Sequence, residues 1–175
     1  MRYCIVVVLM YNHIITNNIL YFVFLRTTAT GDLPNLSYVN RKPEPLGSEF
    51  KNIVDGLSGE MVWLELQEGK NRMATKEYQQ ELGATTACVL RGVKATGDSN
   101  SRPESNDTGK LFLADSWFGS VKAAANVALA GHHACMMVKT AHSRSPKKFL
   151  DETMKDFSGG TWITLEGRAQ KKEFI

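Results

Sequence analysis

The segment Lys110–Lys122, KLFLADSWFGSVK, decides the fold, because a short apolar run meets an aspartate and then a helical pattern. The run Leu111–Leu113 predicts a buried strand, since continuous apolar runs of this length are typical of strands covered on both faces. The alanine-rich stretch that follows has helical periodicity. The segment therefore predicts a strand leading into a helix, with Asp115 at the carboxyl end of the strand, where α/β proteins place ligands and catalytic groups.

Asp115 has two interpretations. The structural one is that its carboxylate N-caps the helix that follows, a role that Asp fills well. The chemical one is that it belongs to a catalytic or metal-binding set at the end of the strand. Spacing alone favours the structural interpretation, because catalytic carboxylates are a minority of all aspartates.

The composition is that of one ordinary globular domain. The chain has 175 residues, of which 43% are hydrophobic and 22% are charged, and both fractions are typical of soluble proteins. Its three cysteines, Cys4, Cys88 and Cys135, are far apart and form no CxxC pair, so we expect buried thiols and neither a zinc ribbon nor a redox motif. No small-molecule substrate is apparent.

A basic segment lies between residues 139 and 148, although the formal net charge of the whole chain is only +3. This segment contains no acidic residue, and its basic side chains are Lys139, His142, Arg144, Lys147 and Lys148. Such a cluster attracts phosphates, so it predicts contacts with a DNA backbone. The alternative is an ordinary solvated loop.

Residues 1–26 form a hydrophobic segment with three interpretations. Its length suits a membrane anchor, yet Asn12, His13, Asn17 and Asn18 fall in the middle, where polar groups are costly. It also suits a pair of β-rich segments around Thr16-Asn17-Asn18, in which the β-branched run at Cys4–Met10 is a strand that substitutes for one missing from a sheet. The third interpretation is an artefact of the gene model.

The rest of the chain predicts a mixed α/β order. Residues 27–46 contain three prolines and are expected to be a linker. Glu49–Asp55 and Glu60–Gln67 flank a turn-forming cluster and predict a hairpin. Further elements are predicted at 70–81 (short helix), 83–94 (strand or helix), 133–139 (strand), from Ser145-Pro146 onward (helix) and 161–165 (strand).

Two stretches resemble piggyBac-type transposases: RKPEPLGSEFKNIVDGLSGEMVWLELQEGK at Arg41–Lys70, and ADSWFGSVKAA at Ala114–Ala124 together with the later VKTAHSRSPKKFL. The resemblance covers roughly residues 31–165. It implies a partial RNase H-like fold, a mixed sheet with flanking helices, over residues 47–166, with 167–175 as a tail.

The family's chemistry needs three carboxylates that hold two divalent ions, Mg²⁺ or Mn²⁺, to cut and rejoin DNA. The resemblance carries only the second of these carboxylates onto this chain, as Asp115. The first is expected on a strand upstream of Arg41, where the only acidic residue is Asp32, and the third beyond the C-terminus, since Glu166 and Glu173 lie in no matching context. We therefore expect a truncated catalytic domain with a vestigial Asp115 and no cofactor, unless another chain complements it.

Three functional hypotheses follow from this resemblance. The leading one is a transposon-derived nuclear protein without DNA cleavage or joining activity, which retains weak, non-specific DNA binding. The second is an active divalent-metal-dependent nuclease that recruits Asp32 or Glu166, or pairs with another subunit. The third is a membrane-anchored protein that uses residues 3–25. The sequence predicts no oligomeric state.

Overall fold

A computed structural model describes residues 5–9, 19–28, 35–40, 43, 45–97, 109–139, 146–158 and 163. Within these ranges the strands are β1 Ile5–Leu9, β2 Ile19–Thr28, β3 Leu36–Tyr38, β4 Leu46–Asp55, β5 Met61–Leu66, β6 Leu111–Ala114 and β7 His133–Val138. The helices are α1 Lys70–Ala74, α2 Gln79–Leu82, α3 Ala84–Gly97, α4 Val121–Leu129 and α5 Lys147–Thr153. None of these helices is long and apolar enough to cross a membrane.

The strands form one mixed sheet in the order β1-β7-β6-β2-β4-β3, and β5 also pairs with β4. Strand β6 pairs in parallel with β2 and with β7. The other pairings are antiparallel: β1 with β7, and β4 with β2, β3 and β5. The predicted strand Leu111–Leu113 and the predicted hairpin are both present. The α/β class expected from the sequence is therefore confirmed.

The central strand of the sheet comes from the hydrophobic segment at 1–26. Strand β2 pairs in parallel with β6 and antiparallel with β4, whereas β1, which contains most of the run at Cys4–Met10, pairs with β7 at the edge of the sheet. Strand β2 has ten residues, of which the first seven, Ile19–Leu25, are apolar, and this length lets it pair on both sides. The division of the chain into domains at 26, 46 and 166 stays a prediction.

The ambiguous stretch 83–94 is helical and forms most of α3. Its Thr and Val residues favour strands in isolation, but packing against the sheet overrides that preference. Gly92 permits the close approach, because an added Cβ would lie 2.7 Å from Ile53 Cδ1 and 3.0 Å from Phe22 Cε1. The helix predicted at 70–81 divides into the short α1 and α2.

Helices α3 and α4 cover one face of the sheet and create the core. Phe22 is the centre of an aromatic cluster, with its ring centroid 5.1 Å from that of Phe118 and 5.8 Å from that of Phe112. Val89, Val93, Ala123, Ala124, Val127 and Met136 fill the space around these rings. The opposite face of the sheet is more exposed, and its apolar side chains include Tyr21, Val23, Leu25, Val62, Leu64 and Met137.

A buried ion pair fastens α3 to the hairpin. Arg91 donates from Nε and Nη2 to the two carboxylate oxygens of Glu65, both at 2.7 Å, and Glu65 is only 8% exposed. This fork-to-fork geometry compensates a carboxylate that would otherwise be costly to bury. The pair therefore fixes the helix relative to β5.

Helix α5 begins near the predicted position. Pro146 is its N-cap and Lys147 its first residue, while Ser145, which the sequence predicted as the cap, lies outside the described residues. Phe149 and Phe157 are exposed, whereas Leu150 and Met154 are half-buried. The strand predicted at 161–165 is described only at Ile163.

The central position of β2 is tested by substitutions on its two faces. We expect Phe22→Ala to lower the free energy of unfolding by about 3–5 kcal/mol, since it removes a buried ring from the aromatic cluster. Val23→Ala, on the exposed face of the same strand, is the matched control and should cost less than about 1 kcal/mol. Urea denaturation of both variants measures the difference, and equal losses would contradict the placement of β2.

Candidate functional site

Asp115 follows β6 directly and is exposed. Its Oδ1 accepts a hydrogen bond from the backbone N–H of Trp117 at 2.8 Å, and its carbonyl accepts one from the N–H of Gly119 at 2.8 Å. This is an Asx-turn, in which the carboxylate stabilises the bend that redirects the chain after the strand.

The expectation that Asp115 N-caps the next helix is wrong. The cap of α4 is Ser120, whose Oγ accepts a hydrogen bond from the N–H of Ala123 at 2.9 Å. Four residues, 116–119, separate Asp115 from the cap, so its carboxylate is too far along the chain to reach the free N–H groups of the helix.

Asp115 lies at the rim of an open, largely apolar depression of about 380 Å³. Its lining residues are Tyr21, Phe22, Leu113, Ala114, Asp115, Cys135, Met136 and Met137. Among these, Asp115 supplies the one charged side chain. A depression lined in this way offers few polar partners to a cation or a phosphate.

The strand beside Asp115 brings no second carboxylate. The parallel register pairs Phe22 with Ala114, so Val23 follows at the level of Asp115, and no residue of β2 is acidic. In the described part of the chain, no group of three or more His, Cys, Asp and Glu side chains is placed to hold a metal ion. The described donor set therefore does not fit two divalent ions, each of which needs several carboxylate or other oxygen ligands.

A positive charge that sequence reasoning missed lies beside the turn. Lys51 on β4 is fully buried, and its Nζ lies 3.4 Å from the centroid of the Trp117 ring and bonds to the carboxylate of Glu49. Burial lowers the pKa of Lys51, while the hydrogen bond to Glu49 and the negative charges of Glu49 and Asp115 oppose that shift. The alternation of β4 could have revealed it, because Lys51 shares a face with Ile53.

A family profile described as transposase IS4 matches residues 26–169. The chain belongs to this transposase family. Its structure is similar to a piggyBac transposase solved as a synaptic complex with hairpin DNA, with a TM-score of 0.60 and 16% sequence identity. The match covers 82% of this chain and 26% of that chain. The comparison with curated proteins gives no match.

These two findings confirm the piggyBac-type resemblance and the RNase H-like α/β fold that the sequence predicted. The chain spans about a quarter of the solved transposase. Any activity or partner of that larger protein is therefore only a proposal for this chain.

The predicted DNA-binding residues are partly described. Lys139 is exposed directly after β7, and Lys148 is exposed on α5, with its Nζ 4.0 Å from Glu152 Oε1. Lys147 is the first residue of α5, but its side chain lies outside the described part of the transposase domain, as do His142 and Arg144. Their role in DNA binding stays a prediction.

Of the two described cysteines, Cys88 is buried as the sequence predicts, whereas Cys135 is only half-buried. Cys88 is buried, and burial together with the nearby charge of Glu65 raises the pKa of its thiol to about 12. Cys135 is half-buried, and burial raises the pKa of its thiol as well. Both thiols are therefore poor nucleophiles at neutral pH, and Cys4 lies outside the described residues.

Substitution of Asp115 tests its role in the turn. We expect Asp115→Ala to lower the free energy of unfolding by about 0.5–1.5 kcal/mol, because the Trp117 N–H loses its acceptor. Asp115→Asn keeps an oxygen at the same place and should lose less. Thermal and urea denaturation of the two variants measure the effect, and an unchanged stability in both would contradict the Asx-turn.

Proposed function

We propose that this chain is a transposon-derived protein that keeps the fold of a transposase catalytic domain but neither cleaves nor joins DNA. The observation that supports the proposal is the surroundings of Asp115. At the level of this carboxylate, β2 supplies Tyr21, Phe22 and Val23. Two-metal phosphoryl transfer needs several carboxylate oxygens converging on the ions, and an apolar strand supplies none.

Mg²⁺ or Mn²⁺ is the cofactor that the family implies, and the donor set described at Asp115 does not fit it. The competing proposal is a nuclease completed by Asp32, by Glu166 or by another subunit. Asp32 and Glu166 lie outside the described residues, so the test of this alternative is chemical. The alternative requires that Asp115 binds a divalent ion when Asp32, Glu166 or another subunit supplies the other carboxylates.

DNA is the partner that we propose for the basic segment. Exposed lysines at the end of β7 and on α5 attract a phosphate backbone without reading its bases. Binding of this kind is weak, non-specific and strongly dependent on salt. A nuclear location is part of the same proposal, and membrane anchoring through residues 3–25 is its competitor.

The cleavage test uses the full chain with hairpin and linear duplex DNA in the presence of Mn²⁺ or Mg²⁺. We expect no metal-dependent strand cleavage or joining above that of the Asp115→Ala variant purified in parallel. A contaminating nuclease would act equally in both preparations. Cleavage that depends on the metal and is lost in Asp115→Ala would overturn the proposal and favour the complemented nuclease.

The binding test measures the salt dependence of affinity for duplex DNA. We expect dissociation constants of about 10⁻⁴–10⁻⁶ M near physiological salt, the range of non-specific binding. The triple variant Lys139→Gln, Lys147→Gln and Lys148→Gln should weaken binding and reduce the slope of log K against log salt by about 0.9 for each lost phosphate contact. Lys70→Gln on the exposed surface of α1 is the control, and an equal effect of this control would contradict the assignment.

A further inference from the structure

Lys51 is a charged residue in a place that usually holds an apolar side chain. It lies on the face of β4 that packs beneath α3, and it is among the largest fully buried side chains of the described residues. A buried ammonium is tolerated only where fixed partners replace its hydration. Here the partners are the carboxylate of Glu49 and the face of the Trp117 ring.

The other charges near Lys51 have partners of their own. Glu65 is opposite Lys51 in the register of β4 and β5, but both of its oxygens bond to Arg91. Arg26, opposite Glu49 on β2, directs its Nη2 to the carbonyls of Ser37 and Pro45. Among the carboxylates of the described residues, Glu49 bonds directly to the Lys51 ammonium.

Trp117 connects this ion pair to Asp115. Its indole ring lies on the Lys51 ammonium, and its backbone N–H donates to Asp115 Oδ1 at 2.8 Å. The charge of Asp115 also favours the protonated form of Lys51. Glu49, Lys51 and Asp115 thus form one electrostatic group around Trp117, which we name the Lys51 cluster.

We propose that Lys51 is a tethered cation that excludes divalent metal ions from Glu49 and Asp115. An ammonium has only hydrogen-bond donors, so it cannot act as a ligand, and its charge repels a second cation. At an effective dielectric of about 20, a unit charge within about 10 Å of a divalent ion weakens binding by more than tenfold. This inference deepens the proposed function and rests on it, because it names the residue that keeps the metal away.

Packing does not require this charge. Methionine has nearly the same length as the lysine stem and carries no desolvation cost, and replacement of a buried ion by an apolar side chain of similar volume is often neutral or stabilising. The positive charge is therefore the property to test, and it is separable from the volume of the side chain.

The experiment measures Mn²⁺ binding to the full chain and to three variants. Lys51→Met removes the charge and keeps the volume, Lys51→Ala also leaves space for a hydrated ion, and Lys94→Met removes the exposed lysine that pairs with Glu77. Electron paramagnetic resonance counts free Mn²⁺, and paramagnetic broadening of the Trp117 indole signal, assigned with Trp117→Phe, locates the bound ion. Thermal denaturation shows which variants are folded.

We expect Lys51→Ala or Lys51→Met to bind Mn²⁺ beside Trp117 at least about tenfold more tightly than the unchanged chain and the Lys94→Met control. Asp115→Asn added to the Lys51 variant should abolish the gain. Equal affinity in the unchanged chain and in both folded Lys51 variants would overturn the proposal.

A second measurement needs no variant. In the chain labelled with ¹⁵N-lysine, we expect a slowly exchanging Nζ ammonium signal at neutral pH with contacts to the Trp117 ring protons. A neutral amine, or an ammonium without those contacts, would overturn the tethered cation. If the unchanged chain binds Mn²⁺ at Asp115 without cleaving DNA, this inference fails and the proposed function stands. Metal-dependent cleavage of DNA would contradict both the inference and the proposed function.

Discussion

The pairing of β2 with β6 on one side and β4 on the other is the constraint on which the rest of the structure depends. It joins the parallel half of the sheet to the antiparallel hairpin half. It also directs Phe22 into the aromatic cluster beneath α3 and α4. Without this strand, β6 and β4 would expose unpaired edges, and the two helices would lose the surface on which they pack.

Strand β2 is also the strand beside Asp115, and it contributes no acidic residue there. A nearly continuous apolar strand suits the centre of a sheet, because it needs no compensation for burial. At the level of Asp115 this strand carries Val23, whose side chain lies on the exposed face of the sheet. In this chain the neighbouring positive charge comes from Lys51, a covalent part of β4.

The sequence predicted those parts of the fold in which local pattern and tertiary role agree. The KLFLADSWFGSVK segment predicted its strand and its helix correctly, and the hairpin followed from its turn cluster. The stretch 83–94 stayed ambiguous because its Thr and Val content conflicts with the packing that makes it helical. Strand β2 was hidden within a hydrophobic segment whose composition equally suits an anchor, since its pairing partners are far away in sequence.

The candidate site was harder to predict than the fold. Asp115 was located correctly, but its hydrogen bond to Trp117 depends on a turn geometry that residue types do not specify. Lys51 was missed because a single lysine in an alternating strand is expected to point to solvent. The alternation of β4 places Lys51 on the face of Ile53, and the structure adds that the Trp117 ring lies over its ammonium.

Two pairings of the sheet, β2 with β6 and β1 with β7, join strands that are far apart in sequence, and this affects folding during synthesis. During synthesis β2 emerges early and can pair with β4 soon afterwards, but its other neighbour, β6, is translated only after α3. Strand β1 waits still longer for β7. Topologies dominated by such distant pairings fold slowly and expose apolar strands in the meantime. Until β6 and β7 leave the ribosome, β2 and β1 lack these pairing partners, and unpaired apolar strands of this kind are prone to aggregate.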